Sequence, residues 1–180
     1  MLDLSVRPAN VADRAAVERL WLMFRHDMSE YQGRLPNPDA TFGSERLQSA
    51  FDDAGWVPYL LVSGGSPAGL AFVRGLSGPA RVLNSFFVVR GARRARVGLR
   101  AAQDVIARHP GPWEVAFQDA NPGAVAFWRR VATAVAGDAW TEERRPVPNR
   151  PDLPPDVGSP STRPPARRTA PPPARTLSAN

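Results

Sequence analysis

The chain of 180 residues has no cysteine, no lysine and only two histidines, His26 and His109. Without cysteine there is no disulfide framework, no thiol nucleophile and no thiolate metal site. Two histidines are too few for a histidine-built metal centre, so no metal is expected. No apolar run reaches the roughly 18 residues that cross a bilayer, and the N-terminus lacks a basic-then-apolar leader. The expectation is a soluble, cytoplasmic protein with no membrane partner. The net charge of +6 is unevenly spread: residues 158–180 hold Arg163, Arg167, Arg168 and Arg175 and no acid, which leaves +2 for the rest. A near-neutral body, whose tryptophans stand at core spacing, argues against a nucleic-acid surface.

What is present reads as alternating strands and helices. Leu4–Ala9 alternates as a first strand. Asn10 or Asp13 can cap the next segment, where Val17, Leu20, Trp21, Phe24 and Met28 repeat at helical spacing until Gly33, Pro36 and Pro38 break it. A shorter helix is expected over 44–54, with Leu47, Ala50 and Phe51 inward. Strands over 58–63 and 68–76 flank Gly64-Gly65-Ser66-Pro67, a tight-turn signal, and a third strand runs from Arg81 to Val89.

That third strand ends in an arginine-rich turn, Arg90-Gly91-Ala92-Arg93-Arg94-Ala95-Arg96. Val97, Ala101, Ala102, Val105 and Ile106 then mark one face of a helix. A turn that aims unpartnered N–H groups and positive charge at a helix start is suited to an anion. A further strand is expected over 113–118, a helix begins at Asn121-Pro122, and a short strand lies near 140–145. The chain up to residue 145 is one expected domain.

Arg93-Arg94-Ala95-Arg96-Val97-Gly98 resembles the Arg/Gln-x-x-Gly-x-Gly/Ala turn of the GNAT N-acetyltransferase superfamily, with Arg96 where the first glycine usually stands. Asn121-Pro122-Gly123-Ala124-Val125-Ala126-Phe127-Trp128 resembles that superfamily's Asn-x-x-Ala-x-x-Phe-Tyr helix. The resemblance implies an α/β fold, a central mixed, mostly antiparallel sheet flanked by helices. It also implies an acetyl-CoA-dependent N-acetyltransferase that moves an acetyl group directly to an amine in a ternary complex. Backbone groups of Phe87, Val88 and Val89 would hold the pantetheine arm like an added strand. Arg93, Arg94, Ala95, Arg96, Val97, Gly98 and Leu99 would receive the phosphates, with Asn121 and Ala124 also on the cofactor side. The acceptor would be a small-molecule or peptide amine, and the protein a monomer or homodimer.

Two departures bear on the chemistry. Trp128 stands where many relatives have a tyrosine that returns a proton to the CoA thiolate, and indole cannot serve as that acid. Asn84 and Ser85 stand where relatives often carry a carboxylate, and neither is a useful base near neutral pH. His26, Asp27, Glu30, Tyr31 and Glu114 remain as candidates, with Asp27 and Tyr31 assigned to the acceptor side and no catalytic residue named. The alternative is a catalytically degenerate domain that only binds acyl-CoA.

Residues 146–180 contain 11 of the 20 prolines, and from residue 158 onward Leu177 is the only large aliphatic side chain. Such a Pro/Arg-rich segment buries too little apolar surface to offset its chain entropy and is expected to be disordered. The seventh strand that the resemblance implies is therefore expected to be missing.

Overall fold

The computed structural model describes residues 3–143 and 175–179. The chain divides into two compact units, Met1–Gly111 and Pro112–Asn180.

In the first unit four strands, β1 (Leu4–Pro8), β2 (Trp56–Ser63), β3 (Ser66–Arg74) and β4 (Arg81–Val88), pair in chain order, each antiparallel to the next. Gly64 and Gly65 both take positive φ, 57° and 79°, in the two-residue turn between β2 and β3. That is the turn whose twist matches the flanking strands, and it demands residues without a Cβ penalty. One face of the sheet carries Leu60, Leu70, Phe72 and Phe87. Against it α1 (Arg14–Gln32) and α2 (Glu45–Asp52) bury Val17, Leu20, Trp21, Leu47 and Ala50. α1 ends where Gly33, at φ 61°, donates its N–H to the Ser29 carbonyl. Asn10 caps a short 3-10 turn ahead of α1, in a reciprocal pair with Asp13. The opposite face includes Tyr59, and α3 (Val97–Ala107) lies on that side: Arg108, just past its end, donates to the Val6 carbonyl at 2.7 Å.

β4 is not a regular strand. Its register against β3 shifts between Phe72, opposite Ser85, and Val73, opposite Leu83, so Asn84 is an extra residue. Such a bulge bends the strand and re-aims the residues after it. Gly69, opposite Val88, lies under the end of β4: a Cβ there would stand 2.1 Å from the Phe87 carbonyl oxygen.

The second unit holds β5 (Trp113–Phe117), α4 (Pro122–Ala136), β6 (Trp140–Glu143) and β7 (Arg175–Ala179). β7 pairs antiparallel with β5 on one side and with β6 on the other. This corrects the expectation of a missing last strand and of a tail disordered to its end. Two flanking strands supply backbone partners for every position of β7, and such pairing overrides a composition with only one large aliphatic residue. The rest of the expected tail lies outside the described residues.

Candidate functional site

The end of β4, the turn after it and the start of α3 form one continuous feature of the first unit. Val89 leaves the strand, Arg90–Ala95 winds as a 3-10 turn, and Arg96 opens α3. Arg96 takes φ 57° and ψ 17°, a left-handed conformation that costs an L-residue about 1 kcal/mol or more. The resemblance puts glycine here, and the observed backbone explains why glycine suits it. Arg96 is exposed and its side chain makes no cap. Val97 is buried against the sheet and Gly98 and Leu99 are half-buried, so their backbone forms the first turn of α3.

The backbone groups assigned to the pantetheine arm are mostly in use. Val89 donates its N–H to the Ala68 carbonyl at 2.9 Å and accepts from the Ala92 N–H at 2.9 Å. Arg93 Nε donates to the Val88 carbonyl at 2.8 Å. Because donors alternate along a strand, the Val88 N–H faces the opposite edge from that of Val89. Of the three residues, Val88 is thus the one whose N–H is directed away from β3.

Asp27 on α1 closes this turn from outside. Its Oδ2 accepts from Arg93 Nη2 in a short ion pair, and its Oδ1 accepts from Arg90 Nη2 at 3.1 Å and Nε at 3.3 Å. Partial burial pushes the carboxyl pKa up, but the hydrogen bonds from Arg93 and then Arg90 outweigh it and hold Asp27 below the usual carboxylate value. An ionised carboxylate engaged by two guanidinium groups is a poor general base. Arg93 also lies over the Phe87 ring, 5.7 Å from its centroid.

The other expected residues are more scattered. Tyr31 is half-buried near the end of α1, and His26 and Glu30 are exposed. In the second unit Asn121 is the N-cap of α4: its Oδ1 accepts from the Ala124 N–H at 2.9 Å, with Pro122 in the first turn. Trp128 is buried and meets Phe127 edge to face at 4.8 Å, so it serves packing. Glu114 is buried on β5. Among the described residues no group of three or more histidine or acidic side chains is placed to hold a metal ion, and no helix is long and apolar enough to cross a membrane.

Sequence reasoning did not anticipate the Asp27 bridge, which joins residues more than 60 positions apart, nor Gly69 beneath Phe87. The bridge had no local signal. Gly69 had a weak one, a glycine inside an otherwise apolar strand.

No family model and no curated protein matches the sequence. Solved structures do match the fold. A GNAT-family acetyltransferase from Staphylococcus aureus Mu50 is 15% identical with a TM-score of 0.60, covering 99% of this chain and 99% of its own. Spermidine N-acetyltransferase from Vibrio cholerae, solved with CoA and spermine, is 11% identical with a TM-score of 0.60, over 97% of this chain and 94% of its own. The ribosomal-protein-S18-alanine N-acetyltransferase from Escherichia coli is 12% identical with a TM-score of 0.56, over 98% and 93%. The chain therefore has the α/β fold of the GNAT acetyltransferases.

Proposed function

We propose that this protein is an acetyl-CoA-dependent N-acetyltransferase that transfers the acetyl group directly from the thioester to an amine. The observation that carries the reading is the turn from β4 to α3. It combines a left-handed residue at the helix start, three exposed arginines (Arg90, Arg93 and Arg96) and an α3 N-terminus that the Arg96 side chain does not cap. Phosphate oxygens are suited to such a place, because the helix dipole and the donors act on the same charge.

In the transfer the amine nitrogen attacks the thioester carbonyl carbon, the carbonyl oxygen gains negative charge, and collapse expels the CoA thiolate. The amine gives up its proton to water as the C–N bond forms and the C–S bond breaks. A thioester is already activated, so the protein's main tasks are alignment and stabilisation of the oxyanion. The Val88 N–H is the donor we assign to that oxygen. With Trp128 unable to give a proton, the thiolate leaves without help from that position. Asp27 is assigned to holding the turn together rather than to taking the amine proton.

The alternative, a domain that binds acyl-CoA without turnover, draws on two observations: Arg96 is strained, and Arg93 is already committed to Asp27 and Val88. Thermal melting with acetyl-CoA, CoA and an adenine nucleotide tests both readings. Ligand at about 100 times its dissociation constant should add roughly 2.7 kcal/mol, a rise of several degrees. A rise with acetyl-CoA, followed by release of free thiol when amines are added, supports the enzyme. A rise with no thiol from any amine supports the binding domain, and no rise rejects both.

A further inference from the structure

α1 carries a second arginine feature, on a different side of the helix from Asp27. Trp21 and Arg25 stand one turn apart, at i and i+4, and so share a face. Trp21 is fixed in place. Its indole Nε1 donates to the Gly43 carbonyl at 3.0 Å, and its ring stacks on Phe72 at 5.5 Å and 23°. The guanidinium of Arg25 lies 5.8 Å from the Trp21 ring centroid and 6.0 Å from that of Phe42, on the segment between α1 and α2.

Arg25 Nε is enclosed and has no acceptor. Among the described residues no carboxylate forms an ion pair or hydrogen bond with the Arg25 guanidinium. Burial first, then the like charges of Arg46 and Arg34, lower its pKa, with Glu45 alone opposing them. A half-buried cation flanked by more positive charge is unfavourable by itself. Its energy improves when an anion arrives, so the arrangement suits an intermittently bound anion better than a structural role. With Nε enclosed, the two terminal nitrogens are the part of the fork left to meet a ligand, and they present parallel donors matching a planar carboxylate.

We propose that Arg25 is the centre of a carboxylate-binding site, and that the amine acetylated by this protein carries a carboxylate that docks there. The second half rests on the acetyltransferase reading. The link to the reacting end is a run of ring contacts, Trp21 to Phe24 at 5.3 Å and Phe24 to Phe87 at 6.0 Å, which leads from Arg25 to the last residues of β4. An acceptor of this class is an amino acid, or a peptide with an acidic group near its amine. A polyamine is excluded.

Fluorine NMR of para-fluorobenzoate, with para-fluorobenzamide as the uncharged isostere, tests the site without turnover. The acid should broaden on adding the full chain and the amide should not. Arg25→Gln should weaken the acid by about ten-fold or more, with Arg25→Lys intermediate, because lysine keeps the charge and loses the fork. Equal broadening of acid and amide, undiminished binding by Arg25→Gln, or tighter binding of inorganic phosphate than of the benzoate would each overturn the site. Arg25→Gln should retain the wild-type melting shift with acetyl-CoA, which shows that the variant is folded and its cofactor side intact. Turnover is then compared for amino acids and their amides. Acids should be preferred, and Arg25→Gln should lose the preference. Amides acetylated as fast as acids would overturn the acceptor assignment. Absence of any acetyl-CoA shift in the wild type would reject the acetyltransferase reading and leave the benzoate result standing on its own.

Discussion

Arg93 reaches across 66 positions of sequence to the carboxylate of Asp27, while its Nε holds the last carbonyl of β4 at Val88. One side chain thus ties α1, the strand end and the 3-10 turn together. Asp27→Asn removes the negative charge that Arg90 and Arg93 share and leaves one amide oxygen to accept from them. The loss should be about 1 kcal/mol near neutral pH, toward the lower end for hydrogen bonds between charged groups because both arginines are largely in water. The pH dependence has a definite sign. Asp27 has a depressed folded pKa, so its contribution is complete above the ordinary carboxylate value of 3.8 and is lost as pH falls below it. Melting curves of wild type and Asp27→Asn should differ near neutral pH and converge in acid. A constant gap across pH would show that the ion pair is not what the variant removes.

Arg96→Gly addresses the strain at the start of α3. Glycine takes φ 57° without the Cβ conflict, and its greater freedom in the unfolded chain offsets part of the gain. The net expectation is stabilisation of up to about 1 kcal/mol. Acetyl-CoA should bind more tightly, since a bare backbone permits closer approach of phosphate. Calorimetric titration separates the effects: higher stability with weaker binding would identify the Arg96 side chain as a direct phosphate ligand.

How much of the molecule was legible in its sequence depends on the range of the interactions. The apolar period of α1, the Gly64-Gly65 turn and the Asn121-Pro122 cap are local, and each stands where its residues require. The anion-suited turn after β4 was legible too, because arginines, a strand and a helix face follow one another directly. The engagement of its groups was not. The Val88 carbonyl and both backbone groups of Val89 are engaged by Arg93, Ala68 and Ala92, and Arg93 by Asp27, through contacts that only the folded chain brings together. β7 was hidden for a related reason: Arg175-Thr176-Leu177-Ser178-Ala179 has little strand character alone and becomes a strand between β5 and β6. Arg25 did have a local signal, its i, i+4 spacing from Trp21, which a search confined to carboxylates and histidines passes over.

Asn121 illustrates how a structural role can be separated from a binding one. Its side chain satisfies the Ala124 N–H, so Asn121→Ala should cost about 1 kcal/mol through loss of the cap. Asn121→Ser, which keeps a capping oxygen on a shorter side chain, should recover most of that. If acetyl-CoA affinity in the serine variant equals that of wild type, Asn121 acts as a cap alone. A several-fold loss with stability restored would show that its amide also meets the cofactor.

Among the described glycines, Gly69 has the closest contact for an added Cβ. A methyl group there would stand 2.1 Å from the Phe87 oxygen and 3.1 Å from a Leu61 methyl. The side chain of Leu61 can give way, whereas the Phe87 carbonyl is backbone in the paired part of β4, between the Asn84 bulge and the turn. Gly69→Ala therefore has to displace the strand end itself, at a cost of about 3 kcal/mol, the upper range for overpacking. The displacement passes to Val88, whose N–H is assigned to the oxyanion. A variant that still folds should lose turnover far more than it loses acetyl-CoA affinity, because the phosphates are assigned to a place further along, at the start of α3. Melting and thiol-release assays on one preparation check this. Equal losses in binding and turnover would place the effect in general unfolding and count against a catalytic role for Val88.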